Sequence, residues 1–271
     1  MSEYNLGQKM TDEELLGKSE KLYNLAKKLD PFLAQYGLEN HTAQVALFID
    51  ASGSMEFDHC KFFTRGKVQT LVERMLPFAV RFDDNATIDA WLFSNHVSAM
   101  FELTPDNFEG AVDRMGWRKF MSGTNYVNVV DAIIDTFGTQ TPRQHPVYVI
   151  WVTDGEPSGS KTAAINAVAK LAKLGIFVQF VALGEDWPVG DDLTPNQSRV
   201  AAPAPAPTGF FGKIAKAFGG GDDSSSGPQP RTGGMRFLVE MDEEMDVEVD
   251  SANAFAVKDP ATVSEERLYN L

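Results

Sequence analysis

The sequence predicts an α/β fold: an open, mostly parallel, doubly wound sheet with helices on both faces and one antiparallel edge strand. Three observations carry that expectation. Val45–Ile49, Ile88–Phe93, Val147–Thr153 and Ile176–Leu183 are short, mainly apolar runs of the kind that read as strands buried on both faces. Stretches with helical periodicity separate them, the alternation that builds a parallel sheet. Two of the runs lead straight into polar loops, Asp50-Ala51-Ser52-Gly53-Ser54 and Asp154-Gly155-Glu156, and open α/β sheets gather ligands at the carboxyl ends of their strands.

The elements follow in order. Residues 1–40 form an N-terminal helical extension. Thr11 and Glu14 have the spacing of a capping box, and Leu15, Leu16, Leu22, Tyr23, Ala26 and Leu29 follow at loose helical spacing until Pro31 ends the helix. Residues 41–189 hold the main part of the domain. After Val45–Ile49, the segment 68–82 is an amphipathic helix with Val68, Leu71, Val72, Met75, Leu76, Ala79 and Val80 on one broad face. Ile88–Phe93 is the next strand, with 97–101 as its short antiparallel edge partner. A short helix over 108–115, a helix over 127–137, the strand 147–153, a helix over 162–173 and the strand 176–183 complete this part.

Residues 190–234 change composition. Ala201-Ala202-Pro203-Ala204-Pro205-Ala206-Pro207, Gly219-Gly220-Gly221 and Ser224-Ser225-Ser226-Gly227-Pro228 are linker sequence, extended at the Pro-rich end and flexible at the Gly/Ser end. Within them lies a short amphipathic segment, 209–218. Phe210, Phe211, Ile214 and Phe218 share one helical face and Lys213 and Lys216 another. That pattern suits a membrane surface or a hydrophobic groove on a partner, and equally a segment that docks on its own domain or stays unstructured. Residues 235–271 return to domain-like sequence: a helix over 235–244, a last strand near Phe255 and a terminal helix over 264–271. The linker is therefore read as an insertion inside the domain. The acidic run from Glu240 to Asp250 lacks the Asp-x-Asp-x-Asp-Gly spacing of a calcium loop and reads as a solvated face.

Composition narrows the function. The 271 residues carry a formal net charge of −14, which argues against nucleic acid as a main partner. The single Cys60 forms no internal disulfide and, next to His59 alone, makes no zinc site. No apolar stretch approaches the roughly 20 residues that span a bilayer, and Met1-Ser2-Glu3-Tyr4 opens no signal peptide, so a cytoplasmic location is expected.

The chemistry lies in the two polar loops and a third, Ser122-Gly123-Thr124-Asn125-Tyr126. One carboxylate and two hydroxyls spaced two apart at a strand end are hard oxygen donors suited to a hard divalent cation, Mg²⁺ first. Asp50, Ser52, Ser54, Thr124 and Asp154 together match, in order and on the right element ends, the Asp-x-Ser-x-Ser, Thr and Asp of a metal-ion-dependent adhesion site. On these residues the chain resembles the von Willebrand factor A (VWA) family, whose sheet is Rossmann-like. The resemblance implies that these five residues hold Mg²⁺ (with Mn²⁺ or Ca²⁺ as substitutes), the hydroxyls directly and the aspartates often through water. It also implies that a protein partner supplies an Asp or Glu carboxylate to complete the coordination. The flanking Asp58, Glu156 and Ser158 are expected to shape partner choice.

The resemblance reaches further. Arg81-Phe82-Asp83-Asp84, Asp89-Ala90-Trp91-Leu92-Phe93, Asn107-Phe108-Glu109-Gly110, Gly123-Thr124-Asn125-Tyr126, Thr153-Asp154-Gly155-Glu156-Pro157 and Asn253-Ala254-Phe255 resemble bacterial VWA proteins associated with tellurium resistance. That family implies cytoplasmic assemblies linked to tellurite, other chemical stress and phage inhibition, with the VWA member as a binding module. The long Pro/Ala and Gly/Ser insertion departs from the compact pattern.

A catalytic reading finds little support in the residues. Asp50 has the strand-end place of a phosphoryl-accepting nucleophile, but Ser52 stands where such phosphatases need their acid/base Asp. The phosphate-binding and dinucleotide-binding glycine motifs and the Gly-x-Ser-x-Gly elbow are missing, and His41, His59, His96 and His145 sit in no nucleophile motif. A non-enzymatic Mg²⁺-dependent binding module leads, with a substrate adaptor for a hexameric ATPase chaperone as the alternative and a metal-dependent phosphatase third.

Overall fold

The computed structural model describes residues 10–57, 60–83, 85–138, 145–184, 237–238, 241 and 252–264. Helices α1 (Asp12–Lys18) and α2 (Glu20–Tyr36) precede strand β1 (Gln44–Asp50). Then come α3 (Lys67–Phe82), β2 (Ile88–Phe93), β3 (Phe101–Leu103), α4 (Ala111–Arg114), α5 (Tyr126–Ile133), β4 (Val147–Thr153), α6 (Lys161–Lys173), β5 (Ile176–Leu183) and β6 (Ala252–Val257).

The six strands form one sheet in the order β3-β2-β1-β4-β5-β6. All pairings are parallel except β2 with β3, where Ile88 faces Leu103 and Ala90 faces Phe101. The antiparallel edge was expected over 97–101. Val97 makes only an isolated bridge to Phe93, and the strand proper begins at Phe101. The chain first turns back through Ser94, which donates its N–H to the His96 carbonyl, and this delays the ladder.

Alternation along each strand divides the core. Val45, Leu47, Ile49, Ile88, Leu92, Ile150 and Val152 face one side, with α1 to α4. Ala46, Phe48, Trp91, Phe93, Val149, Trp151 and Phe180 face the other, with α5, α6 and the buried Phe237, Leu238 and Met241. Period-two side-chain direction on a doubly covered sheet requires this division. On the second face Phe48 stacks on Trp91 with ring centroids 4.6 Å apart.

The N-terminal helices belong to the first core. Thr11 and Glu14 form the reciprocal capping box, and Ser19 ends α1 and caps α2 by accepting the Leu22 N–H at 3.2 Å. The expectation that Pro31 stops the helix is corrected: α2 runs through it to Gly37, which closes the helix in the left-handed conformation. A proline inside a helix costs about 3 kcal/mol. Leu29 and Leu33 on either side of it are buried against the core, each worth about 1.5–3 kcal/mol, so tertiary burial outweighs the local penalty. Arg81 of α3 forks onto Asp30 at 2.7 and 3.1 Å and reaches Asp12 at 2.9 Å, fixing the extension to the domain.

The site region follows from the connections. The helix after β1 lies on the first face, whereas the helix after β4 lies on the second. Since β1 and β4 are neighbours, their carboxyl ends diverge to opposite faces. This is the topological switch point at which open α/β sheets form a binding crevice.

Candidate metal site at the switch point

The loop after β1 begins with Asp50, which is fully buried. Both of its oxygens are engaged. Oδ1 accepts the Ser52 N–H at 2.8 Å, and Oδ2 accepts the Thr153 hydroxyl at 2.8 Å. Ser52 Oγ lies 3.1 Å from Ser54 Oγ, and Ser54 donates to Asp154 Oδ1 at 3.0 Å. Four of the five expected ligands thus form one linked group. A 3-10 turn, Gly53–Met55, carries Ser54, and Ser52 stands at its N-cap.

Thr124 joins the group through its backbone. The loop before α5 is tied to the β1 loop by Gly53 N–H donating to Ser122 O at 2.9 Å. It is tied to the β4 loop by Thr124 N–H donating to Ser158 Oγ, and by Ser158 N–H donating to Thr124 O, both at 2.8 Å. On its outer side Ser122 Oγ donates to Ser94 Oγ at 3.0 Å and Asn125 N–H donates to Ser94 O at 3.0 Å. Thr124 itself is buried.

Behind the ligands lies a polar cluster that sequence reading missed. Thr153 Oγ1 donates to Asp50 and accepts the Gly155 N–H at 3.2 Å. The fully buried Tyr126 hydroxyl donates to the Gly155 carbonyl at 2.6 Å and lies 3.1 Å from Thr153 Oγ1. A threonine closing an otherwise apolar strand, directly before Asp154, was the available signal. The flanking residues make contacts within the domain. Glu156 pairs with Lys161 at 2.9 Å, Ser158 holds Thr124, and Asp58 lies outside the described residues, as does the 209–218 segment.

The electrostatics are those of two neighbouring carboxylates, Asp50 fully buried and Asp154 half-buried. Burial, then the charge of Asp154, pushes Asp50 up to about 7, against the lowering effect of the Ser52 and Thr153 hydrogen bonds. Burial raises Asp154 as well. Among the described residues no cationic side chain hydrogen-bonds or ion-pairs with either carboxylate. Nor do those residues contain a group of three or more His, Cys, Asp and Glu side chains placed to hold a metal. The donor set is instead two carboxylates plus serine and threonine hydroxyls. Its chemistry fits a hard divalent cation, because oxygen donors suit such an ion and its charge relieves the carboxylate repulsion.

The family described as the VWA domain found in the TerF C terminus matches residues 42–192. The chain belongs to this TerF-like VWA family. A relative in Bacillus subtilis (strain 168), the uncharacterized protein YcbR, is 30% identical over 162 residues, covering 58% of this chain and 64% of the relative. The chain thus spans a little under two thirds of that relative's length. Among solved structures, a von Willebrand factor type A protein from Catenulispora acidiphila aligns at 13% identity and a TM-score of 0.47, over 84% of this chain and 41% of its own. Manganese-loaded Plasmodium vivax TRAP aligns at 19% and 0.43, over 54% of this chain and 59% of its own. VWA-fold proteins are characteristically non-catalytic binding modules used for protein contacts, and this chain is one of that fold. No helix among the described residues is long and apolar enough to cross a membrane.

Proposed function

We propose that this VWA domain binds a protein partner through a divalent cation, Mg²⁺ first, held by Asp50, Ser52, Ser54, Thr124 and Asp154. The observation that carries the reading is the pair of carboxylates, Asp50 fully buried and Asp154 half-buried, bridged by serine hydroxyls and free of any cationic partner among the described residues. Two such groups left uncompensated are costly, and a cation is the natural counter-charge. When bound, a divalent cation offers an open coordination position to an outside carboxylate. Asp50, with both oxygens occupied, orients the loop and supplies charge, while Ser52, Ser54 and Thr124 supply neutral oxygen. A first shell poor in formal charge keeps the ion receptive to a partner's Asp or Glu.

The sequence resemblance to tellurium-resistance-associated VWA proteins is what supports a place in a cytoplasmic tellurite, chemical-stress or phage-resistance assembly. The test combines direct cation binding by calorimetry with affinity capture from host lysate in Mg²⁺ and in EDTA, using wild type and Ser52→Ala/Ser54→Ala. The reading expects cation binding and partner capture to be lost together in the double variant, and capture to be lost in EDTA. Capture that survives both treatments overturns it.

A further inference from the structure

We propose that Ser158 is a positioning residue of the cation site, acting on Thr124 through a two-point clamp that Gly123 makes possible. This rests on the cation-site reading above and adds a residue which that reading does not contain.

Thr124 and Asp154 stand on different loops, one before α5 and one after β4, and a cation needs both at a set separation. The structure joins these loops at one residue. Ser158 accepts the Thr124 N–H with its side chain and donates its own N–H to the Thr124 carbonyl, each at 2.8 Å. Both backbone polar groups of Thr124 are therefore committed to Ser158, which leaves the Thr124 hydroxyl as the polar group not used in the clamp. Ser158 follows Asp154 by four residues and precedes Ser160, whose side chain caps α6 by accepting the Ala163 N–H. The clamp thus refers the position of Thr124 to the same helix entry that carries Asp154. Ser122 O, accepting from Gly53 N–H at 2.9 Å, refers it to the serine loop.

Gly123 is the steric condition for this arrangement. A Cβ built there would lie 2.8 Å from Ser158 Oγ, 3.3 Å from Ser158 Cβ and 2.8 Å from Asn95 Oδ1. The first and last are closer than real Cβ contacts come, so any side chain at 123 pushes Ser158 and Asn95 away. Gly123 is not among the glycines with positive φ, so the need is for space and not for an unusual backbone angle.

A residue whose only role is surface structure would change stability and leave cation affinity alone. Ser158 is exposed, so removing its hydroxyl takes little from the core. Supporting residues around a metal site typically cost about 10–100-fold in affinity when removed. The test uses the full chain as wild type, Ser158→Ala and Gly123→Ala. Mn²⁺ is titrated by calorimetry with Mg²⁺ competition, and the melting temperature and Thr124 amide hydrogen exchange are measured in EDTA. The expected result is a Kd raised about 10-fold or more in both variants, faster Thr124 exchange, and a metal-free Ser158→Ala that still unfolds cooperatively, with a Tm lowered by the loss of the Thr124 N–H acceptor. Wild-type affinity in Ser158→Ala, or unchanged Thr124 exchange, overturns the clamp while the cation site stands. A wild-type protein that binds no divalent cation overturns the site and the clamp together.

Discussion

Replacing Asp50 with Asn removes the fully buried one of the two carboxylates while keeping an oxygen for the Ser52 N–H and nearly the same volume. In the metal-free protein the Asp50 carboxyl is pushed up to about 7 from an ordinary 3.8, by burial and then by Asp154. The sign follows from proton counting. Below about pH 4 the carboxyl is protonated in both folded and unfolded chains and contributes no pH dependence. Between about pH 4 and 7 the unfolded chain releases this proton while the folded chain retains it, so stability falls as pH rises. Above about 7 the loss is complete, and the interval corresponds to about 4 kcal/mol, an order-of-magnitude figure. Asp50→Asn lacks this titration. The measurement is denaturant unfolding in EDTA at half-unit pH steps, with the variant subtracted from wild type so that the other carboxylates largely cancel. The difference should move against wild type by about 4 kcal/mol between pH 4 and 7.5, whatever constant offset the lost Thr153 contact introduces. In a domain of this size that is roughly 8–16 °C in Tm. Saturating Mg²⁺ should restore wild type, by about 2.7 kcal/mol at 100 times its Kd, and leave the variant unchanged. A difference that is flat, or that moves in favour of wild type as pH rises, refutes the account of Asp50 as an uncompensated buried acid.

Three further outcomes are expected. Tyr126→Phe removes the donor to the buried Gly155 carbonyl and should cost about 1–3 kcal/mol in denaturant unfolding, with weaker Mn²⁺ binding because Thr153 loses a neighbour. Leu22→Ala should lower stability by about 2–5 kcal/mol, since Leu22 is fully buried in the first core; a value near zero would show the N-terminal helices to be an independent appendage. Arg81→Ala leaves Asp12 and Asp30 without the guanidinium that holds them, and should flatten the acid side of the stability–pH curve. The Arg81 hydrogen bond keeps the Asp12 carboxyl below its ordinary value, so that contribution is present above the ordinary pKa and is lost as pH falls through the lowered one.

What the sequence made legible was whatever depends on local pattern. The strands 88–93, 147–153 and 176–183 have the predicted bounds because both faces of each are covered, so apolar residues run continuously and polar ones mark the ends. The five candidate ligands were legible because their residue types are rare in combination at strand ends. What failed depended on partners distant in the chain. The edge strand is set by pairing Ile88 with Leu103, which no window around 97–101 contains. The helix persists through Pro31 because Leu29 and Leu33 are buried, and a proline rule knows nothing of burial. The residues behind the site are linked over similar distances: Thr153 reaches Asp50 and Tyr126 reaches Gly155 through hydrogen bonds between separate loops.

Those cross-loop bonds also bear on how the proposed site, with so few charges, would bind a cation. A flexible set of two carboxylates and three hydroxyls would lose, on ordering, much of what coordination provides. Here the ordering is already made by groups other than the ligands' free oxygens. Ser122 O holds the serine loop through Gly53, Ser158 holds Thr124, Ser94 holds Ser122 and Asn125, and Thr153 holds Asp50. Aromatic packing of Tyr126 against Trp151, at 4.8 Å between ring centroids, fixes the floor on which Thr153 and Gly155 stand. Cation binding as proposed would then have little conformational cost to overcome, so hydroxyl oxygens would suffice where a looser site would need more carboxylates. On the proposed function, fewer carboxylates would leave a bound ion more of its charge, and that remaining charge would attract a partner's acidic side chain.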